Sequence, residues 1–152
     1  MSTDRDDVIS ILEDLIETCR DGQNGYRDAA EHIKNSGIRT WFNEQSIQRS
    51  QFAGELEGFV QRLGKPDPDR TGSISGALHR HWFDLKEKIT GSDEGVLSEV
   101  ERGEDSAKHT YEEALKKNLP ADVRAVVERQ AQSVFAAHDR ARNLRDQLKN
   151  AA

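Results

Sequence analysis

The feature that most constrains this chain is a spacing. Over long stretches its apolar residues recur every third and fourth position, the period of a helix with one buried face. Only three prolines interrupt the pattern, Pro66, Pro68 and Pro120. Proline fixes φ and lacks an N–H, so these points mark helix boundaries. The pattern predicts a helix over residues 7–36, on a stripe of Val8, Ile11, Leu12, Leu15, Cys19, Gly22, Tyr26, Ala29, Ala30 and Ile33. Asp6 or Asp7 is expected to cap its start and Gly37 to end it. A second helix is expected over 38–63, on Ile38, Trp41, Phe42, Gln45, Phe52, Leu56, Phe59 and Leu63, stopped by Gly64. Residues 65–72 read as a loop by composition. A shorter amphipathic helix follows over about 73–90, with Ile74, Leu78, Trp82, Leu85 and Ile89. Ser92 or Asp93 then caps a helix over 94–117, on Val96, Leu97, Val100, Glu104, Ala107, Tyr111, Ala114 and Leu115. Leu119-Pro120 makes a corner into a last helix over 121–149, on Val123, Val127, Gln130, Val134, His138, Ala141, Leu144 and Leu148.

The two halves repeat at an offset of 85 residues, the separation of Tyr26 from Tyr111. At that offset Leu15 lies on Val100, Cys19 on Glu104, Ile38 on Val123, Gln45 on Gln130, and Phe59 on Leu144. This reads as two copies of a long helical hairpin. The links within each hairpin are very short, so each pair is antiparallel. A helix of about 24 residues is ~36 Å long, and the linker between the hairpins is long enough to travel that distance. It would let the second hairpin start at the same end as the first. The expected fold is all-α: a single domain over residues 1–152, an up-down-down-up four-helix bundle with a crossover helix over about 73–90. The competing arrangement is a plain up-down bundle with a loose insertion, against which stands the amphipathic linker with its Trp82 and Phe83.

Composition narrows the class further. The 34% of residues that are hydrophobic are gathered into the stripes, and the 33% that are charged fall on the outer faces. A chain of 152 residues builds a core without needing disulfides or a structural metal, and the lone Cys19 excludes a disulfide framework or a Cys-rich zinc module. No apolar stretch approaches the roughly 20 residues of a membrane span, and the acidic, polar N-terminus does not read as a signal peptide. A cytoplasmic protein without membrane association is expected. The net charge of −6 argues against nucleic acid, where affinity comes from Lys and Arg on phosphates.

Several motifs resemble a known family. Asp21-Gly22-Gln23-Asn24-Gly25-Tyr26, Leu63-Gly64-Lys65-Pro66, Leu78-His79-Arg80-His81-Trp82, and Gly103-Glu104 followed by Tyr111 are similar to a bacterial family of ferritin-like four-helix-bundle proteins, known as a domain of unknown function. The resemblance covers roughly residues 8–148. It implies the ferritin-like fold and a stress-related binding or structural role, with no assigned reaction.

A ferritin-like bundle raises the question of a di-iron centre. That centre needs a carboxylate from each of two helices and a Glu-x-x-His from each of the other two. The residues three before the five histidines are Ala29, Gly76, Leu78, Ser106 and Phe135, none of them acidic. By similarity to rubrerythrins, the glutamates seven residues before each Tyr fall on Cys19 and Glu104. The Glu and His of the second helix fall on Arg49 and Phe52, and the repeat places the last pair on Val134 and Ala137. A one-residue shift substitutes Phe135 and His138. Glu104 alone survives of the six, so no cofactor and no catalytic residue is expected. Only a reduced iron or manganese site, on Glu104 and His138, would support an oxidoreductase or iron-binding reading.

In place of a metal, Glu104 in its apolar stripe needs a partner or a proton. Arg49 is expected to supply one, with Tyr26, Tyr111, Gln130 or His138 completing the hydrogen bonds. The alternative leaves Arg49 reaching solvent and Glu104 at the stripe's edge. Asp28 with His32, and Asp105 with His109, read as surface i,i+4 pairs. His79 and His81 face different directions and read as surface or partner contacts. Gly22, Gly25, Gly54, Gly58 and Gly103 lie within helices and are expected to make room for Tyr26, Tyr111, Trp41 and Phe52, or for a small ligand. Trp82 and Phe83 leave room for a homo-dimer.

Overall fold

In the computed structural model, which describes residues 4–65 and 92–151, every regular element is a helix. These are α1 (Arg5–His32), α2 (Ser36–Arg62), α3 (Asp93–Leu115) and α4 (Ala121–Ala151). The crossover helix expected over 73–90, with Trp82, Phe83, His79 and His81, lies outside the described residues.

Local chemistry sets the ends. Asp4 caps α1, its carboxylate accepting from the Asp7 N–H at 2.9 Å, so the cap lies before the aspartates expected to provide it. The Asn35 side chain caps α2, accepting from the Ile38 N–H at 2.9 Å. Gly37, expected to end α1, instead lies in the first turn of α2. The Asn cap outcompetes it because it satisfies an N–H that the helix start leaves without a partner. Ser92 caps α3 through the Gly95 N–H at 3.0 Å. Gly64 ends α2 with φ +99°. Its N–H bonds to the Gln61 carbonyl, and the Lys65 N–H to that of Val60, the pairing of a Schellman motif.

Pairwise contacts give the directions. Along α1 and α2, Ser46 Oγ donates to the Gln23 carbonyl, Arg20 pairs with Glu57, and Lys65 pairs with Glu13. One number rises as the other falls, so the helices are antiparallel. The same holds for α3 and α4 through Tyr111–Gln130 and Glu101–Arg145. It holds again for α1 and α3, where Tyr26 meets Glu104 and Cys19 meets Tyr111. The start of α3 adjoins the turn of the first hairpin: the Lys34 and Asn35 N–H groups donate to the Asp93 carboxylate at 2.7 and 3.0 Å. The second hairpin therefore starts at the end of the molecule opposite Arg5, not at the same end as the first. The reason is geometric. The short turn at residues 33–35 returns α2 to the Arg5 end, where Lys65 reaches Glu13, and Ser92 enters at the other.

The core lies in two apolar clusters. One gathers Leu12, Leu15, Ile16, Leu56, Val60, Val127 and Val134. The other gathers Ala29, Ile33, Phe42, Leu97, Val100 and Ala141. Burying a side chain of this size contributes about 1.5–3 kcal/mol. Between the clusters lies a layer of buried polar groups, described below. Among the described residues no helix is long and apolar enough to cross a membrane.

The glycines divide by what surrounds them. A Cβ on Gly54 would touch nothing within 4 Å, and one on Gly58 only the Arg62 guanidinium at 3.7 Å. Neither makes room for an aromatic ring. Gly54→Ala is expected to raise stability by about 1 kcal/mol, from helix propensity. Gly64→Ala is expected to lower it by about 1–2 kcal/mol, because its φ is left-handed. Urea denaturation of both variants checks the opposite signs.

Candidate functional site

All four helices send polar side chains into the layer between the apolar clusters: Cys19 and Tyr26 from α1, Arg49 from α2, Glu104 and Tyr111 from α3, and Gln130 from α4. Arg49 comes from α2 and Glu104 from α3, with side-chain exposures of 1% and 0%. Arg49 Nη1 donates to Glu104 Oε1 at 2.8 Å, and Nη2 to Oε2 at 2.5 Å. This bidentate fork is the strongest geometry for a guanidinium and a carboxylate. Tyr26 of α1 adds a third bond, its hydroxyl donating to Glu104 Oε2 at 2.6 Å. The Tyr26 ring is wedged against Trp41 and Phe42, at centroid distances of 5.9 and 5.6 Å, which aims the hydroxyl. The Arg49 guanidinium lies 5.4 Å from the Tyr26 ring centroid, within cation–π range.

Gly22 makes this arrangement possible. A Cβ there would stand 3.0 Å from Arg49 Nη1 and 3.4 Å from its Cγ. The glycine makes room for the arginine, not for a ring as the sequence suggested. Arg49 is held by two bonds and cannot yield to a methyl group without stretching them.

A second, uncharged chain crosses the same layer. Tyr111 donates its hydroxyl proton to Gln130 Oε1 of α4 at 2.8 Å. With that proton committed, its oxygen accepts from the Cys19 thiol at 3.0 Å. Gln130 Nε2 in turn donates to the Phe52 carbonyl at 3.3 Å and to Glu55 Oε1 at 3.1 Å. The repeat is visible here. Tyr26 contacts position 104, and Tyr111 contacts position 19, its counterpart at the same offset.

Burial governs the protonation states. It pushes the Cys19 thiol up to about 11, against a lesser lowering by the bond to Tyr111. Burial also holds Tyr26 well above its ordinary value, reinforced by the Glu104 charge. Tyr111 is raised by burial and by Cys19. For Arg49, burial alone would lower the value, but Glu104 more than reverses this and keeps the guanidinium charged.

His138 is elsewhere. Its Nε2 lies 2.5 Å from Asp105 Oδ1 and 3.9 Å from Glu101 Oε2 on α3, and its Nδ1 lies 3.0 Å from Asp139 Oδ1. It ties α3 to α4 at the edge of the molecule and contributes nothing to the bonds around Glu104. Asp105 thus pairs with His138 rather than with His109. His32 Nδ1 lies 2.8 Å from the Asp28 backbone carbonyl, not its carboxylate. The fit of a di-iron centre fails on charge. A guanidinium stands against the one central carboxylate, and both of that carboxylate's oxygens are engaged. Among the described residues no three or more His, Cys, Asp or Glu side chains are grouped to hold a metal ion.

These features belong to an all-helical protein with an ion-paired centre. The family described as Domain of unknown function (DUF2383) matches residues 7–117, and the chain belongs to it. The match takes in α1, α2 and α3, while Gln130 lies beyond it on α4. None of the curated proteins matches the chain.

Two predictions follow from the geometry. Arg49→Met and Glu104→Gln should each cost about 3–5 kcal/mol by leaving a buried partner unsatisfied. The double variant should cost less than their sum, by about 1 kcal/mol or more in a denaturation cycle. The second concerns alkali. The folded Cys19 keeps its proton up to about 11, whereas the unfolded thiol loses it near 9.0. The folded state therefore binds more protons in that window, so stability is intact below pH 9 and falls as pH rises toward 11. Cys19→Ser should remove part of that loss in urea titrations across the window.

Proposed function

We propose that this protein is a ferritin-like bundle, running up-down-down-up with a crossover helix over about 73–90, that acts as a non-catalytic binding or structural protein. The antiparallel packing of α1 against α3 supports that topology. In a plain up-down-up-down bundle these two helices would run the same way, and Asp93 would not reach Lys34 and Asn35.

One observation carries the non-catalytic reading. Arg49 and Tyr26 occupy both oxygens of Glu104, and a guanidinium repels the cations such a centre would hold. At the position the repeat relates to Glu104, the protein carries a thiol kept protonated by burial. A protonated thiol is neither a metal ligand nor a nucleophile. The centre serves as an internal latch among helices, and any activity resides in surfaces outside it.

Metal analysis of protein purified without a histidine tag tests this. Wild type and Glu104→Ala should both contain far less than one iron or manganese per chain. One metal per chain in the wild type, lost in Glu104→Ala, would overturn the reading in favour of a reduced metal site.

A further inference from the structure

The outward face of α2 is uncharged over most of its length, in a chain where 33% of the residues carry charge. Ile47, Gln51, Gly54 and Gly58 follow one another at spacings of four, three and four, which places them in one stripe along the helix. The acids nearby turn aside: Glu57 pairs with Arg20 of α1, and Glu55 engages Arg129 and Gln130 of α4. Ile47 is 61% exposed, the one large apolar side chain so placed among the described residues. A Cβ on Gly54 would meet nothing within 4 Å, and one on Gly58 only the end of the Arg62 side chain. Glycine inside a helix is less stable than alanine, and nothing within this fold requires these two.

The stripe ends in opposite charges. Asn43 and Glu44 precede it, Gln61 and Arg62 follow it, and all four are exposed. Consider a second copy laid antiparallel on this face, about a twofold axis through the middle of the stripe. Ile47 then falls on the partner's Gly58, which lacks the side chain that would block it. Gln51 falls on the partner's Gly54. Glu44 comes beside the partner's Gln61 and Arg62, and Asn43 beside the partner's Arg62. The twofold makes each contact twice. A parallel copy would instead set Ile47 against Ile47 and Glu44 against Glu44, bulk on bulk and like charge on like charge. Bulk matched to space and acid matched to base therefore select both the occupant and its direction.

We infer that the outward stripe of α2 is a homodimer interface, on which two copies pack antiparallel with Ile47 seated on the partner's Gly58. Each isoleucine leaves water, and the glycines let the two helix backbones approach closely. A single helix pair buries less than the roughly 1,200 Å² of a standard interface, so the dimer is weak and reversible, with a Kd on the order of 10–100 μM. The surface lies on the opposite side of α2 from the Arg49–Glu104 latch and stands whether or not that latch excludes metal.

Sedimentation equilibrium of the full chain from about 1 μM to 1 mM, a range that brackets this Kd, tests the association. The mean mass should climb from one chain toward two. Ile47→Asp and Gly58→Leu, at outward positions, should each weaken association at least about tenfold while circular dichroism keeps its helical signal. Glu44→Arg should weaken it about tenfold, because the twofold repeats the repulsion. Adding Arg62→Glu should restore it, which a merely structural effect would not do. Cross-linking fixes the direction. Chains carrying Ile47→Cys should form disulfides with chains carrying Gly58→Cys on mild oxidation, and neither should form them with its own kind. Positions 47 and 58 are about 16 Å apart along the helix, too far for two copies of one position to meet. A mass that stays at one chain throughout would overturn the inference and leave the stripe to a different protein. So would association indifferent to Ile47→Asp and Gly58→Leu, or cross-linking of Ile47→Cys chains to one another.

Discussion

Moving a carboxylate and a guanidinium out of water costs several kcal/mol per ion even after relaxation. The structure offsets that cost at one place. Arg49 and Glu104 face each other through two bonds, Tyr26 supplies a third, and its ring shields the guanidinium. Much of the surrounding architecture follows. Gly22 lacks a side chain because the arginine stem passes where one would be. Trp41 and Phe42 hold Tyr26 at the angle its hydroxyl needs. The pair joins α2 to α3, from different hairpins, and the two apolar clusters pack on either side of it.

The central layer also records the repeat. Each tyrosine reaches across to the partner hairpin at the position seven residues before the other tyrosine. That reciprocity is what a twofold relation between two copies produces. Yet the halves have diverged in charge. One side carries Glu104 and Arg49; the other carries Cys19 and Val134, with Tyr111 satisfied by Gln130 instead of an ion. A single buried ion pair with a neutral chain beside it carries half the desolvation of a symmetric charged centre. Gln45, the counterpart of Gln130, has been left facing the α2–α4 seam with an unmet oxygen, and there the two halves differ most in surroundings.

Much of this was legible in the chain. Spacing alone located four long helices, and the stripes named most of the buried apolar residues but passed over Ile9, Ile16, Ala53, Val60, Ala131 and Ala137, which are buried beside them. The isolation of Glu104 among apolar neighbours pointed to a buried acid, and the similarity of the second helix to rubrerythrins pointed to Arg49 opposite it. Other features depended on competition that spacing does not encode. Asn35 displaced Gly37 as the signal at the first turn because a cap satisfies a specific N–H. Gly22 stands against Arg49 rather than a ring, since which side chain crosses a helix depends on the rotation of its neighbour. His138 lay on the right stripe, but one position of angular drift put it at the stripe's edge, among Asp105, Glu101 and Asp139. The pairing of Glu55 with Gln130 and Arg129 joins residues far apart in sequence, with no local signature.

By itself, the sequence determined the helices, their buried faces, the short turns that make each hairpin antiparallel, and the absence of the paired Glu-x-x-His motif. These are properties of periodicity and local connection, which act over a few residues. Only the tertiary structure decided which end of the first hairpin receives the second. It also decided that one arginine would engage both oxygens of one glutamate, and that Gln130 and Arg129 would bridge α4 to α2. Those outcomes depend on where four helix axes settle relative to one another, which is set by the packing of the core around the buried Arg49–Glu104 pair.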